Sequence, residues 1–202
     1  MGRCMALLLT STVLTMGLLI GGAALAETFR GTDRDENFTG TNGPDVAYGR
    51  GGNDQLSGRG DSDELYGGAG RDRLDGGTAR DELYAAEGSD PLVAGGEGND
   101  SMVGGLGNDT LVGGEGDDEL FAEIGDDRLD GQGGDDDLYS GKGSDRIVGG
   151  DGQDEIFAGA DNDTVLARDG RRDVVECGRD TDTVYFDSGT DQIQGDCERL
   201  NP

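Results

Sequence analysis

GGEGNDSMV GGLGNDTLV GGEGDDELF, residues 95–121, is three consecutive nonapeptides with Asp in the sixth place and an apolar residue in the eighth. The register extends both ways. With Gly31 as a first position, repeats begin at residues 31, 40, 49, 58, 67, 76 and 85; after one inserted residue, Ala94, they resume at 95, 104, 113, 122, 131, 140, 149 and 158, fifteen in all. The sixth place is Asp in fourteen of them and Glu36 in the other; the fourth is Gly in eleven. The eighth is always apolar: Phe38, Ala47, Leu56, Leu65, Leu74, Leu83, Leu92, Met102, Leu111, Leu120, Leu129, Leu138, Ile147, Ile156 and Val165. Asp is only 32 of the 202 residues, so composition does not account for this order.

Nine residues are too few for a helix pair and suit a turn followed by a short strand. Glycine lets the turn visit positive φ, and the last three residues alternate out, in, out, so that only the eighth faces inward. Two units, one strand on each side, close a coil of about 18 residues, and coils stack about 4.8 Å apart. The expected fold is all-β, a parallel β-solenoid whose core is two thin apolar ladders. Its edges stack carboxylates, Asp54 over Asp72 on one and Asp63 over Asp81 on the other. Like charges a rung apart repel strongly in a partly desolvated turn, and a divalent cation between them reverses the sign. Carboxylate and glycine carbonyl oxygens are hard donors that suit Ca²⁺ better than Mg²⁺, and the repeat offers zinc no ligand set.

These residues resemble the RTX, or hemolysin-type, calcium-binding repeat GGxGxDxUx; GGEGNDSMV, GGLGNDTLV, GGEGDDELF and GGDGQDEIF (from Gly149) fit every fixed position. The resemblance runs over residues 31–166 and implies a parallel β-roll with Ca²⁺ held by carbonyls and Asp carboxylates of adjacent turns. Carried over residue by residue, it points to Asp54, Asp63, Asp72, Asp100, Asp109, Asp118, Asp127, Asp136, Asp145 and Asp154 as ligands. Asp45, Asp81, Asp90 and Asp163 join them from repeats that depart from the pattern: Pro44 precedes Asp45, Ala79 replaces the fourth glycine, Pro91 follows Asp90, and Asp161 takes a fourth place. Around Pro91 and Ala94 a bulge or a lost ion site is expected. Members that join such a roll to a toxin, protease, lipase or epimerase carry a catalytic domain that these repeats lack, so no toxin activity is inherited.

Charge agrees with a cation partner. Sixteen Lys and Arg against 44 Asp and Glu give a net charge of −28, which disfavours nucleic acid and anionic membranes. With no Trp and 32% apolar residues, the chain lies close to disordered compositions, and a fold needs an ion that screens the acids. Arg3, the apolar run Ala6 to Ile20 and AALA ending at Ala26 have the order of a secretory signal cleaved before Glu27; an uncleaved anchor is the alternative. The expected organisation is a signal over 1–26, the roll over 27–166 and an atypical cap over 167–202, in a secreted protein that is not a membrane protein after cleavage. Removing Arg3 with the signal leaves 15 cations against 44 acids, a net charge of −29.

Beyond residue 166 the glycines fade, yet Asp173, Asp182 and Asp191 keep the acid place and Val175, Val184 and Ile193 the apolar one. Cys177 and Cys197 are expected to pair, since export permits a disulfide and a turn would bring them within bridging range.

The chain has no histidine, which excludes the usual Ser and Cys triads, and no nucleotide-binding glycine motif. Asp117 with Asp118, and Asp135 with Asp136 and Asp137, are paired acids in the manner of glycosidases, but an ion-binding or solvated edge fits them better. Tyr66, Tyr84, Phe121, Tyr139 and Phe157 share the ninth place, where packing between rungs competes with a stripe for a polysaccharide or cell surface. The sequence thus favours a non-catalytic, exported Ca²⁺-binding roll, with a recognition module as the alternative and a hydrolase fragment last.

Overall fold

The computed structural model describes residues 25–195 and 197–202, so the signal expected over 1–26 lies outside it except for Leu25 and Ala26. Its strands are β1 (Thr28–Arg30), β2 (Asn37–Thr39), β3 (Val46–Gly51), β4 (Gln55–Gly60), β5 (Glu64–Ala69), β6 (Arg73–Thr78), β7 (Glu82–Glu87), β8 (Leu92–Glu97), β9 (Ser101–Leu106), β10 (Thr110–Glu115), β11 (Glu119–Ile124), β12 (Arg128–Gly133), β13 (Asp137–Lys142), β14 (Arg146–Asp151), β15 (Glu155–Ala160), β16 (Thr164–Ala167), β17 (Val174–Gly178), β18 (Thr183–Phe186), β19 (Gln192–Gln194) and β20 (Arg199–Asn201). Odd-numbered strands form one ten-stranded parallel sheet and even-numbered strands the other. The chain therefore winds as an all-β parallel solenoid of about ten coils, and no helix among the described residues is long and apolar enough to cross a membrane.

The expected fifteen repeats supply β2 to β16; β1 and β17 to β20 add rungs at both ends. Most strands span six residues rather than three, from the seventh place of one repeat to the third of the next. The first place faces inward as well as the eighth, which corrects the reading that only the eighth does. Ala85, Ala122 and Ala158 hold it and are fully buried; elsewhere it is mostly Gly, so the second inward column is narrow. The wide column holds the large core residues, among them Leu65, Leu83, Met102 and Leu120 in one sheet and Leu56, Leu74, Leu111 and Leu129 in the other, each at most 2% exposed.

Fourth-place glycines stack carbonyl under α-carbon. Gly88 has φ +148°, and a Cβ there would drive into the Gly70 carbonyl of the coil below. A side chain would both strain the backbone and push two rungs apart.

The irregularity expected at Pro91 and Ala94 is absent from the sheet. Leu74 pairs with Val93, Gly77 with Gly96, and Val93 in turn with Leu111, an unbroken register. The extra residue is Pro91, not Ala94. Val93, not Leu92, fills the core place and is fully buried, while Leu92 starts β8. Proline has no N–H for the ladder, so it is spliced into the turn, where the Asp90 carbonyl accepts directly from Thr110 N–H at 3.0 Å.

Cys177 and Cys197 form a disulfide, with Cα atoms 5.4 Å apart. Cys177 occupies the small inward place of β17 and is fully buried, so the bridge closes the C-terminal end of the core. Closing a 20-residue separation contributes about 3 kcal/mol by chain entropy. Replacing both cysteines by Ala is expected to lower unfolding free energy by about that amount in saturating Ca²⁺, measured by denaturant titration. No loss would show that the bridge spans an end already held by its strands.

Candidate functional site

Each turn between the sheets is cornered by glycine and closed by the sixth-place acid. On one edge these acids run Glu27, Asp45, Asp63, Asp81, Asp100, Asp118, Asp136, Asp154, Asp173 and Asp191, and on the other Glu36, Asp54, Asp72, Asp90, Asp109, Asp127, Asp145, Asp163, Asp182 and Glu198. Along each row the backbone N–H of one acid donates to the carboxylate of the next: Asp54 to Asp72 Oδ1 at 2.8 Å, Asp63 to Asp81 Oδ1 at 2.7 Å, Asp109 to Asp127 Oδ1 at 2.7 Å. The side chain thus replaces the carbonyl that a strand would offer, and holds the coil at the corner where the ladder must turn.

All fourteen aspartates singled out in the sequence occupy this place and are no more than 3% exposed. Those from irregular repeats, Asp81, Asp90 and Asp163, stack like the rest. The sequence placed Asp173, Asp182 and Asp191 in the acid row but carried the ligand set no further than Asp163. Asp173 and Asp182 are equally buried, and their persistence in the nine-residue phase was the signal that could have extended it.

The second oxygen of these carboxylates is the chemical key. Among the described residues, Oδ2 of fifteen of them, from Asp54 to Asp182, is buried without a hydrogen-bond partner. In nine of them, those of Asp54, Asp63, Asp72, Asp81, Asp100, Asp109, Asp118, Asp136 and Asp154, it lies under the glycine that opens the same repeat. A Cβ on Gly67 would meet Asp72 Oδ2 at 2.6 Å and the Ala85 carbonyl oxygen at 3.0 Å; one on Gly104 would meet Asp109 Oδ2 at 2.7 Å and the Ala122 carbonyl oxygen at 3.1 Å. A bare carboxylate oxygen and a carbonyl oxygen from the adjacent coil therefore face one small space that glycine leaves open. An unpartnered anionic oxygen at such depth is costly and calls for a cation or a proton.

Burial accordingly lifts the affinity for protons, opposed in part by the backbone N–H bonds and reinforced by carboxylates above and below. Asp136 is pushed up to about 8, Asp81, Asp118, Asp127, Asp163 and Asp173 to about 7, and Asp54, Asp63, Asp90 and Asp154 to about 6. Nowhere among the described residues do three acid, cysteine or histidine side chains gather at one point. Any ion held here must take backbone carbonyls along with one or two carboxylates, a hard all-oxygen set that fits Ca²⁺.

Asp45 is the exception. Its Oδ2 accepts from Thr41 N–H at 2.6 Å and from Thr41 Oγ1 at 3.2 Å, and so is not orphaned.

The fifth place forms a ladder that the sequence reading missed. Asn53 N–H donates to Asp35 Oδ1, Asp135 N–H to Asp117 Oδ1, and Gln153 N–H to Asp135 Oδ1. The tempting acid pairs are thereby accounted for: Asp117 and Asp135 bridge coils at the surface, Asp118 and Asp136 lie buried behind them, and Asp137 begins β13. Eight Asn or Asp among fifteen fifth places were the available clue.

The ninth-place aromatics of the fifteen repeats all fall on the odd-numbered sheet. Tyr48, Tyr66 and Tyr84 stack with centroids 4.8 and 4.9 Å apart, as do Phe121, Tyr139 and Phe157, with ring planes within 10° of parallel. Tyr48 is an addition to the five named from sequence. The rings spend their faces on one another, which leaves edges rather than flat platforms for a sugar.

Six segments in two overlapping runs, residues 30–65 and 57–90, then 94–129, 112–147, 130–165 and 139–174, match the RTX calcium-binding nonapeptide repeat, described as four copies. The match skips residues 91–93, where Pro91 adds its residue. No individual curated protein matches the chain. Repeats of this kind bind Ca²⁺, and the matched segments, at 30–90 and 94–174, take in well over half the sequence. The chain belongs to the RTX calcium-binding nonapeptide repeat family.

Proposed function

We propose that the protein is an exported, non-catalytic calcium-binding roll in which Ca²⁺ at both edges drives folding and the rigid rod serves a structural or surface role. The observation that carries this reading is the column of buried, unpartnered Oδ2 atoms on each edge. The residues that would hold the ions are Asp54, Asp63, Asp72, Asp81, Asp90, Asp100, Asp109, Asp118, Asp127, Asp136, Asp145, Asp154 and Asp163, extended by Asp173 and Asp182, with carbonyls of the glycine corners. Asp45 is left out because Thr41 already occupies its second oxygen. When bound, the ion supplies positive charge that neutralises carboxylates stacked a rung apart.

Export is supported by the Arg3, apolar run and AALA order at the N-terminus and by the Cys177–Cys197 disulfide, which suits an oxidising compartment. A polysaccharide or cell-surface ligand gains nothing from the aromatic stripe, whose ring faces are already stacked.

Titration calorimetry on the chelator-washed protein is expected to show saturable uptake of several Ca²⁺ per chain at 10⁻⁴ to 10⁻³ M, about the range of extracellular sites, and negligible Mg²⁺ uptake. Absence of saturable Ca²⁺ binding would refute the reading.

A further inference from the structure

We propose that Asp45 is the binding site of the chain's own N-terminal ammonium, created when the leader is cut between Ala26 and Glu27. The inference rests on the export reading above and extends it to the first coil.

Two independent observations meet at Glu27. In the sequence, the small residues AALA end at Ala26 and place the cut before Glu27. In the fold, Glu27 stands 18 residues before Asp45, one coil lower, and its backbone nitrogen makes the first bond of that edge's ladder by donating to Asp45 Oδ1. The cut therefore falls at the first ladder position. Its carbonyl accepts from Val46 N–H at 2.8 Å, and β1 then pairs in register with β3, Thr28 with Val46 and Phe29 with Ala47. The nitrogen is thus fixed on both sides by bonds that owe nothing to residues before it.

The Asp45 carboxylate is 1% exposed. Its Oδ1 takes the Glu27 nitrogen and its Oδ2 the Thr41 donors, so both oxygens already have hydrogen-bond partners, unlike those of the deeper carboxylates. While the leader is attached, the Glu27 nitrogen is an amide and brings one neutral donor to a buried anion. Hydrolysis of the Ala26–Glu27 bond by an endopeptidase adds water: the oxygen goes to the new Ala26 carboxylate, and Glu27 keeps an amine that takes a proton. The same atom then carries a full positive charge and three donors, and its bond to Asp45 becomes charge-assisted, the stronger kind. Thr41 Oγ1 lies 3.2 Å from both the Leu25 carbonyl oxygen and Asp45 Oδ2 and has one proton to donate, so removing Leu25 and Ala26 leaves that proton to Asp45. Processing thus finishes the first rung by giving the buried carboxylate at the start of the ladder its counter-charge.

The composition permits a clean test. Lys142 is the only lysine, so a chain beginning at Glu27 has two amines, and Lys142 is exposed. The full exported protein, purified with Ca²⁺, would have its N-terminus established by intact mass and sequencing and then be labelled at neutral pH with an amine-selective acylating reagent. The α-amine is expected to react at least about tenfold more slowly than its unfolded control, with Lys142 as internal reference, although a free α-amine has the lower proton affinity and ordinarily reacts faster at this pH. Asp45→Asn should abolish the protection while leaving the number of bound Ca²⁺ unchanged, and Thr41→Val serves as a second variant should Asp45→Asn not fold, with partial loss of protection expected. A chain that begins at Glu27 but whose α-amine labels as fast as the unfolded control overturns this proposal alone. A chain that begins elsewhere overturns both the proposal and the cleavage reading, while calcium uptake still tests the roll itself.

Discussion

In excess EDTA at neutral pH, the purified protein is expected to lose its β-sheet circular dichroism, expand to unfolded dimensions and become sensitive to protease, and millimolar Ca²⁺ is expected to restore all three together. Each nine-residue repeat buries one apolar side chain in the wide column and, at most, one small one, as Leu129 and Ala122 illustrate. That is too little burial to order nine residues of which several are glycine. Against it stands the free energy of holding fifteen carboxylate oxygens out of water with no partner. An ion that binds only the coiled form shifts this balance by mass action, and many sites filling together make the transition steep. Because each coil contacts only its neighbours, recovery should be cooperative along the rod rather than site by site. Mg²⁺ at equal concentration should leave the chain expanded. Material that stays compact and protease-resistant in EDTA would sink the account, since its core would then suffice alone.

The parts of the fold legible in the sequence were those with a side chain to announce them. Leu56, Leu74 and their successors marked the core column, and Asp54, Asp72 and theirs the edge, because at these places a wrong residue would be buried without a partner or would leave a void. The inward first place was invisible because it is mostly glycine, and an absent side chain gives no periodic signal. The insertion was misplaced for a different reason: Leu92 and Val93 are both apolar, and only the inability of Pro91 to donate to the ladder decides which of them enters the core. At the ends, Glu27 and Glu198 carry the edge where the motif has lapsed, so the first and last coils emerge only in three dimensions. For the site, the row of acids could be read, but the division of labour between the two carboxylate oxygens could not. It depends on a corner geometry in which Oδ1 meets a backbone N–H of the adjacent coil and Oδ2 turns inward under glycine.

That division makes the metal-free and calcium-loaded proteins respond to pH in opposite directions. In the metal-free fold, burial raises the ladder carboxyls from an unfolded value near 3.8 to about 6 for Asp54 and Asp63, about 7 for Asp118 and Asp127, and about 8 for Asp136. Between these limits the folded chain binds more protons than the unfolded one, so stability falls as pH rises. The contribution is fully present below about pH 4 and gone by about pH 8. A protonated Oδ2 also becomes a donor in the space it shares with a carbonyl oxygen, and neutral carboxyls no longer repel one another along the edge. Lowering the pH from 8 to about 4.5 in EDTA should therefore raise the β-sheet signal and slow proteolysis. In saturating Ca²⁺ the sign reverses. The ion requires ionised carboxylates, protons compete with it for them, and the midpoint of the calcium titration should move to higher concentration as the solution is acidified. Circular dichroism across pH, with and without Ca²⁺, reads both slopes in one experiment. A metal-free signal that is flat with pH, or that grows as pH rises, would mean that the buried carboxylates are neutralised by something other than a proton or an ion.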